Sequence, residues 1–382
     1  MIRLPFRRRL RARFFRVLRH LATLEDTREI FGGLLREQGA AAIVPELGRY
    51  DALDVPYPEL RRPGTHVENR GRDAIFITAR FRTGSTLLWN LFRHIPGVTA
   101  YYEPFNERRW FDPRTRGTQT DATHLQVENY WAEYDGLEEL GKWYSTDWRF
   151  RRLYMAASAH DPAMERYVAA LIRRAAGRAV LQFNEVDLRL PWLRAHFPAA
   201  RLVHLYRNPR DQWCSALHGA PLPMRHLTLR EFAPHDGFYL LDWGRDLRHC
   251  FPFLALEPEA HPYELFYQLW KLSYLFGTTH ADLSLSFEDL TGDTPRVLSW
   301  LLAELDLPQA QIAPLLRWVS PVTHGKWRLQ HCDDVYEEIE SRVDAAFAGY
   351  RRAAVGFFPQ RVSRDFKELR FGRDPGAANR RR

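Results

Sequence analysis

The sequence predicts an α/β fold: a parallel central sheet with helices on both faces. Two observations carry that prediction. Short apolar runs of strand length alternate with helical stretches, and the first strong strand runs through a hydroxyl-rich loop with one glycine directly into an apolar helix. With 382 residues the chain is long enough for a real core. Its 45% apolar and 27% charged content excludes a disordered or collagenous chain. The formal net charge of +8 is concentrated in one place. Eight arginines (Arg3, Arg7, Arg8, Arg9, Arg11, Arg13, Arg16 and Arg19) and no acid fall within the first twenty residues. The remainder is balanced, which argues against a nucleic-acid partner. Three scattered cysteines, Cys214, Cys250 and Cys332, form neither a disulfide framework nor a CxxC motif, and fit a reducing compartment.

The elements follow in chain order. Between the first arginines, Leu10, Phe14, Val17, Leu18, Leu21 and Leu24 recur at helical spacing, making residues 1–70 a basic helical extension. The stripe suits packing on the main domain or on a second copy of the chain. Residues 1–24 also suit peripheral contact with an anionic membrane surface. No apolar run approaches 18 residues, so neither a membrane span nor a signal peptide is expected, and the expected location is cytoplasmic, with or without membrane association. A Pro- and Gly-rich linker over 56–72 precedes a domain expected to cover 71–370, and the tail 371–382 reads as frayed. Within the domain, strands are expected at 73–78, just before Glu103, and at 179–184, 201–207 and 282–287. Helices are expected from Ser85 or Thr86, over 191–196, from about 210, over 263–279 and over 294–305. A helical, aromatic-rich insertion without strands is expected at about 107–178.

The strand-to-helix loop Arg82-Thr83-Gly84-Ser85-Thr86 is where an anion would sit. Free N–H groups at a helix start, the helix dipole and several side-chain donors converge there. Compared with the nucleotide-triphosphate loop GxxxxGK[ST], Ala79 replaces the first glycine and Ser85 the lysine, which disfavours hydrolysis of ATP or GTP. The alternative is an ordinary turn with a hydroxyl-capped helix. A second anion site is expected at Arg207, at a strand end before Asn208-Pro209, with Ser215 in the following helix.

In order, these segments resemble the sulfotransferase superfamily, whose members move the sulfuryl group of 3′-phosphoadenosine 5′-phosphosulfate (PAPS) to an acceptor. Arg82 to Thr86 resembles the 5′-phosphosulfate loop. LYRNPRDQWCSAL resembles the 3′-phosphate motif with Arg207 and Ser215. LSFEDLTGDTPRVLSWLLAELDLP resembles the family's strand, acidic pair Glu288-Asp289 and helix. THGKWR resembles the C-terminal segment that closes over the donor, which implies donor contacts from Lys326, Trp327 and Arg328. The resemblance covers about 74–328. Cytosolic members place an adenine-stacking aromatic after the hydroxyl pair, where this chain has Leu87, so Trp89 or Trp327 is expected to supply that platform.

The resemblance implies in-line transfer to a hydroxyl or amine of a small-molecule, carbohydrate or lipid acceptor. Arg82 would stabilise charge on the leaving phosphate, and Glu103 or Glu185 would act as general base, with Glu103 favoured. His204, inside an apolar strand, reads as a core histidine. No metal-ligand spacing is visible along the chain, and the resemblance implies no metal. Two other readings stay open: a small-molecule or nucleoside kinase with a degenerate phosphate loop, and a non-catalytic peripheral membrane module.

Overall fold

The computed structural model describes residues 57–61, 73–217 and 222–353, with side chains to 347. The basic extension, most of the linker and the C-terminal tail lie outside the described residues. The expectations for the amphipathic stripe, membrane contact and frayed end therefore fall there too.

Five strands form one parallel sheet: β1 (Ala74–Thr78), β2 (Val98–Tyr102), β3 (Arg178–Phe183), β4 (Arg201–Tyr206) and β5 (Leu283–Ser286), in the spatial order β2-β3-β1-β4-β5. β1 pairs Thr78 with both Phe183 and His204. All five residues of β1 are buried, as expected of a central strand covered on both faces. The chain leaves β1 toward one edge and β4 toward the other, so the carboxyl ends of β1, β3 and β4 flank a topological switch point. Ligands of open parallel sheets bind at such a point.

Eleven α-helices cover the sheet among the described residues: α1 (Ser85–Arg93), α2 (Pro162–Arg174), α3 (Leu190–His196), α4 (Pro209–Leu217), α5 (Leu229–Phe232), α6 (Leu240–Leu247), α7 (Pro262–His280), α8 (Phe287–Gly292), α9 (Thr294–Glu304), α10 (Ile312–Leu316) and α11 (Asp333–Ala353). One apolar core joins the sheet to α1, α2, α8 and α9. A second joins α4, α6, α7 and α11. Gly277 lets α7 close on β4, since a Cβ there would fall 2.3 Å from the His204 ring. His204 is buried, its Nδ1 lies 2.8 Å from Ser284 Oγ, and burial pushes its pKa down to about 3, so it is the core histidine expected.

The structure differs from expectation in two segments. Among residues 107–160 the regular structure consists of 3-10 turns, at Ala132–Tyr134, Glu138–Lys142 and Thr146–Arg149, and the first true helix is α2. Ring contacts replace helical periodicity: Tyr102 stacks on Tyr130 at 4.6 Å and Trp110 lies 5.2 Å from Tyr130. The pair Glu288-Asp289 lies in the first turn of α8, because Ser286 caps that helix by accepting from Asp289 N at 2.9 Å.

Candidate active site

Segments that follow all five strands build one cleft of about 560 Å³ beyond the carboxyl ends of the sheet. The loop after β1 turns sharply, with Arg82 at φ 64° and Gly84 at φ 96°. A non-glycine residue held in the left-handed region costs about 1–3 kcal/mol and marks a backbone fixed by its surroundings. Here Thr83 turns its hydroxyl inward to the Arg80 carbonyl, and Gln212 donates to the Phe81 carbonyl at 2.7 Å. Gly84 is required twice, by its φ and because a Cβ would meet Phe287 Cε2 at 2.2 Å. Ser85 and Thr86 open α1, and both line the cleft beside Arg82.

Arg82 joins this loop to the far wall. Its Nε donates to Ser215 Oγ at 3.1 Å, its Nη1 donates to Thr123 Oγ1 at 3.3 Å, and Asp121 Oδ2 lies 3.8 Å from the same nitrogen. Arg207, the first residue beyond β4, donates to the Arg82 carbonyl at 3.0 Å and stacks on Phe287 at 4.9 Å. Among the described residues its buried Nε has no partner, an unmet donor on a cationic group. Burial lowers the Arg207 pKa, and Asp211 and Glu288 oppose that shift. The two expected anion seats therefore touch and share one cleft.

The two candidate carboxylates occupy different environments. Glu103, just past β2 at φ 37°, lines the cleft. Asn106 donates to its Oε2 at 2.5 Å, and the Asn184 side-chain amide donates to Oε1. Glu185 is fully buried behind the wall, with Arg149 3.5 Å away, and accepts from the Asn184 backbone. Burial raises its pKa to about 7 against the opposing pull of Arg149. Arg149 itself reaches the cleft, lies against Tyr239 at 4.8 Å and pairs with Glu107 at 2.6 Å. Burial disfavours its charge, but Glu185, Glu103 and Glu107 outweigh burial and raise its pKa.

The C-terminal GKWR segment sits elsewhere. Trp327 is buried in the second core with Arg210 stacked on it at 4.5 Å, while Lys326 and Arg328 are exposed and none of the three lines the cleft. The segment is pinned from behind, since Gly325 N donates to Asp211 Oδ2 at 2.8 Å. Trp89 is also fully buried and donates to the Ala100 carbonyl at 2.8 Å, so neither tryptophan offers a platform to a ligand base. The cleft beside Leu87 is instead walled by Phe287 and Trp318. Asp211, Glu288 and His324 bring ligand-type atoms within 4.8 Å of one another, a grouping invisible to spacing because its members lie on α4, on α8 and in the loop after α10.

Sequence reasoning passed over Arg149 and His124. His124 lines the cleft with Nε2 3.2 Å from Thr86 Oγ1 and Nδ1 2.6 Å from Tyr130 OH. Both residues lie in the irregular insertion, where no periodicity marks them. Among the described residues no helix is long and apolar enough to cross a membrane.

No curated protein matches the chain. Solved structures that resemble it include the sulfotransferase domain of the Synechococcus PCC 7002 olefin synthase, with 18% identity, 68% of this chain and 82% of that one covered, and a TM-score of 0.36. Others are a sulfotransferase from Alicyclobacillus acidocaldarius, with 16% identity, 74% and 100% covered and a TM-score of 0.34, and one from Mycobacterium avium, with 15%, 83% and 81%, and 0.40. The model of the Sulfotransferase family matches residues 74–311, a span that includes the loop after β1, Glu103, Arg207 and Ser215, and the chain belongs to that family.

Proposed function

We propose that the chain transfers the sulfuryl group of PAPS to a hydroxyl or amine of a small-molecule, carbohydrate or lipid acceptor. The observation that carries this reading is the junction of Arg82, Ser215 and Arg207, which brings the loop after β1 and the end of β4 together in one cleft. A donor with a phosphosulfate at one end and a phosphate at the other suits both. The orphaned Arg207 Nε and the open N-terminus of α1 supply unmet donors for it.

In this reading Arg82, Ser85 and Thr86 hold the phosphosulfate, with Thr83 and Gly84 shaping the loop, while Arg207 and Ser215 hold the 3′-phosphate. Glu103 takes the proton of the acceptor hydroxyl as the new O–S bond forms. The S–O bond to the 5′-phosphate breaks, and Arg82 meets the negative charge left on that phosphate. The amides of Asn106 and Asn184 aim the Glu103 carboxylate. Lys326, Trp327 and Arg328 reach the donor in this reading only if the segment around Gly325 swings on its Asp211 tether.

Incubation with PAPS and a panel of glycans, lipids and phenols, read by mass spectrometry, tests the proposal. Sulfated product with release of adenosine 3′,5′-bisphosphate is expected without added Mg²⁺. Phosphorylated product from Mg-ATP, with none from PAPS, would overturn it.

A further inference from the structure

A chain of hydrogen bonds runs from the insertion into the loop after β1. Asp121 N donates to Tyr130 OH at 2.8 Å, and the same hydroxyl lies 2.6 Å from His124 Nδ1. His124 Nε2 is 3.2 Å from Thr86 Oγ1, which is 2.9 Å from Tyr102 OH. Tyr130 and Tyr102 are buried, as is Thr86. A buried donor without an acceptor is costly, and this fixes the direction of the chain from Tyr130 to Thr86.

Tyr130 oxygen already accepts from a backbone N–H, and among the described residues its own proton has one acceptor within reach, His124 Nδ1. That nitrogen must then be bare, which puts the ring proton on Nε2, pointing at Thr86. Thr86 Oγ1 accepts it, which leaves the Thr86 proton for Tyr102 OH, 2.9 Å away, or for an anion in the cleft. The opposite direction leaves the Tyr130 proton without an acceptor. Two further contacts fasten this segment to Arg82, through Thr123 Oγ1 and through Asp121 Oδ2.

We propose that His124 is a positioning residue: a neutral N–H donor that fixes the direction of the Thr86 hydroxyl, so that the Thr86 proton is presented to an anion in the seat or to Tyr102. The residues 119–127 then belong to the donor site as well as to any acceptor site. Burial holds the imidazole neutral, with a pKa lowered to about 4. The charged neighbours are Asp121, which opposes that shift, and Arg82, which reinforces it. The phenol of Tyr130 is pushed up to about 12 by burial and stays protonated. The assignment of Thr86 to a phosphosulfate seat rests on the proposed function; the direction of the chain does not.

Two measurements separate those layers. In full-length protein labelled with ¹⁵N-histidine, the His124 signals, identified by their loss in His124→Gln, are expected to show the Nε2–H tautomer from pH 8 to about pH 5. Tyr130→Phe should remove that preference while the other histidine signals report an intact fold. A His124 that is protonated on Nδ1, or that titrates near the ordinary imidazole value of about 6.5, would overturn the proposal. Calorimetry with PAPS then reads the consequence. His124→Ala is expected to weaken binding about 3- to 10-fold, as for one lost hydrogen bond, with His124→Gln recovering most of it through its amide N–H. Equal affinities in wild type and His124→Ala would contradict the positioning role. If wild type binds no PAPS, the proposed function fails while the tautomer result still stands on its own.

Discussion

Arg82 Nε donates to Ser215 Oγ at 3.1 Å across 133 residues of sequence, and this bond fuses the loop after β1 to the helix after β4. Each residue alone suits one anion. Joined, they fix the distance between two, which is what recognition of a donor with phosphate at both ends requires. Ser215→Ala should therefore weaken adenosine 3′,5′-bisphosphate by about 3- to 10-fold, the worth of one hydrogen bond, while binding of a 5′-phosphosulfate without the 3′-phosphate falls less. Titration calorimetry with the two ligands reads the difference, and equal losses would place Ser215 outside the second seat.

Arg82→Ala should cost about 10²–10³ in turnover, by analogy with removal of one donor to a developing oxyanion. Arg82→Lys keeps the charge but loses the fork that reaches Ser215 and Thr123 together, so it should recover only part of the rate. Steady-state kinetics decides this, and wild-type turnover in the alanine variant would remove Arg82 from the chemistry.

Glu103→Gln should lose turnover by about 10²–10⁴ while keeping donor affinity, because only the base is removed. Glu185→Gln should act mainly on stability. The folded pKa of Glu185 stands near 7 against 4.5 unexposed to the fold, so the native state binds the extra proton between those values. Its contribution is present below about pH 4.5 and is lost as pH rises through 7. Denaturant unfolding of Glu185→Gln should show a flatter pH dependence in that window than wild type. An unchanged slope would mean the carboxyl is not the group that titrates.

Gly84→Ala should be destabilising by about 1–2 kcal/mol for the left-handed backbone, with about 1–3 kcal/mol more for the collision with Phe287. Denaturant unfolding measures the sum. A loss below about 0.5 kcal/mol would mean that the ring of Phe287 moves freely and that the loop is less fixed than its contacts imply.

Much of the scaffold was legible in the sequence because its signals are local. The buried strand Ala74–Thr78 with its apolar run AIFI, the hydroxyl-rich turn and the helix from Ser85 stand as expected, and Arg207 falls one residue beyond its strand. The contacts that make the site are long-range and carry no periodic signal. Glu185 closely follows its strand, yet it packs inward against Arg149, and the neighbouring Asn184 reaches the cleft in its place. The GKWR segment matches the family pattern, but Arg210 stacks on Trp327 and holds that ring in the core. His124 is set in place by Tyr130, whose ring it meets edge-on, and by Thr86, and no repeat marks either partner.

Thermal unfolding with adenosine 3′,5′-bisphosphate against Mg-ATP tests the central claim most directly, since it asks whether the two seats take one ligand with phosphate at both ends. At 100 times its Kd the bisphosphate should add about 2.7 kcal/mol of stability, and Arg207→Ala should abolish that gain. Stabilisation by Mg-ATP, with none from the bisphosphate, would contradict the account.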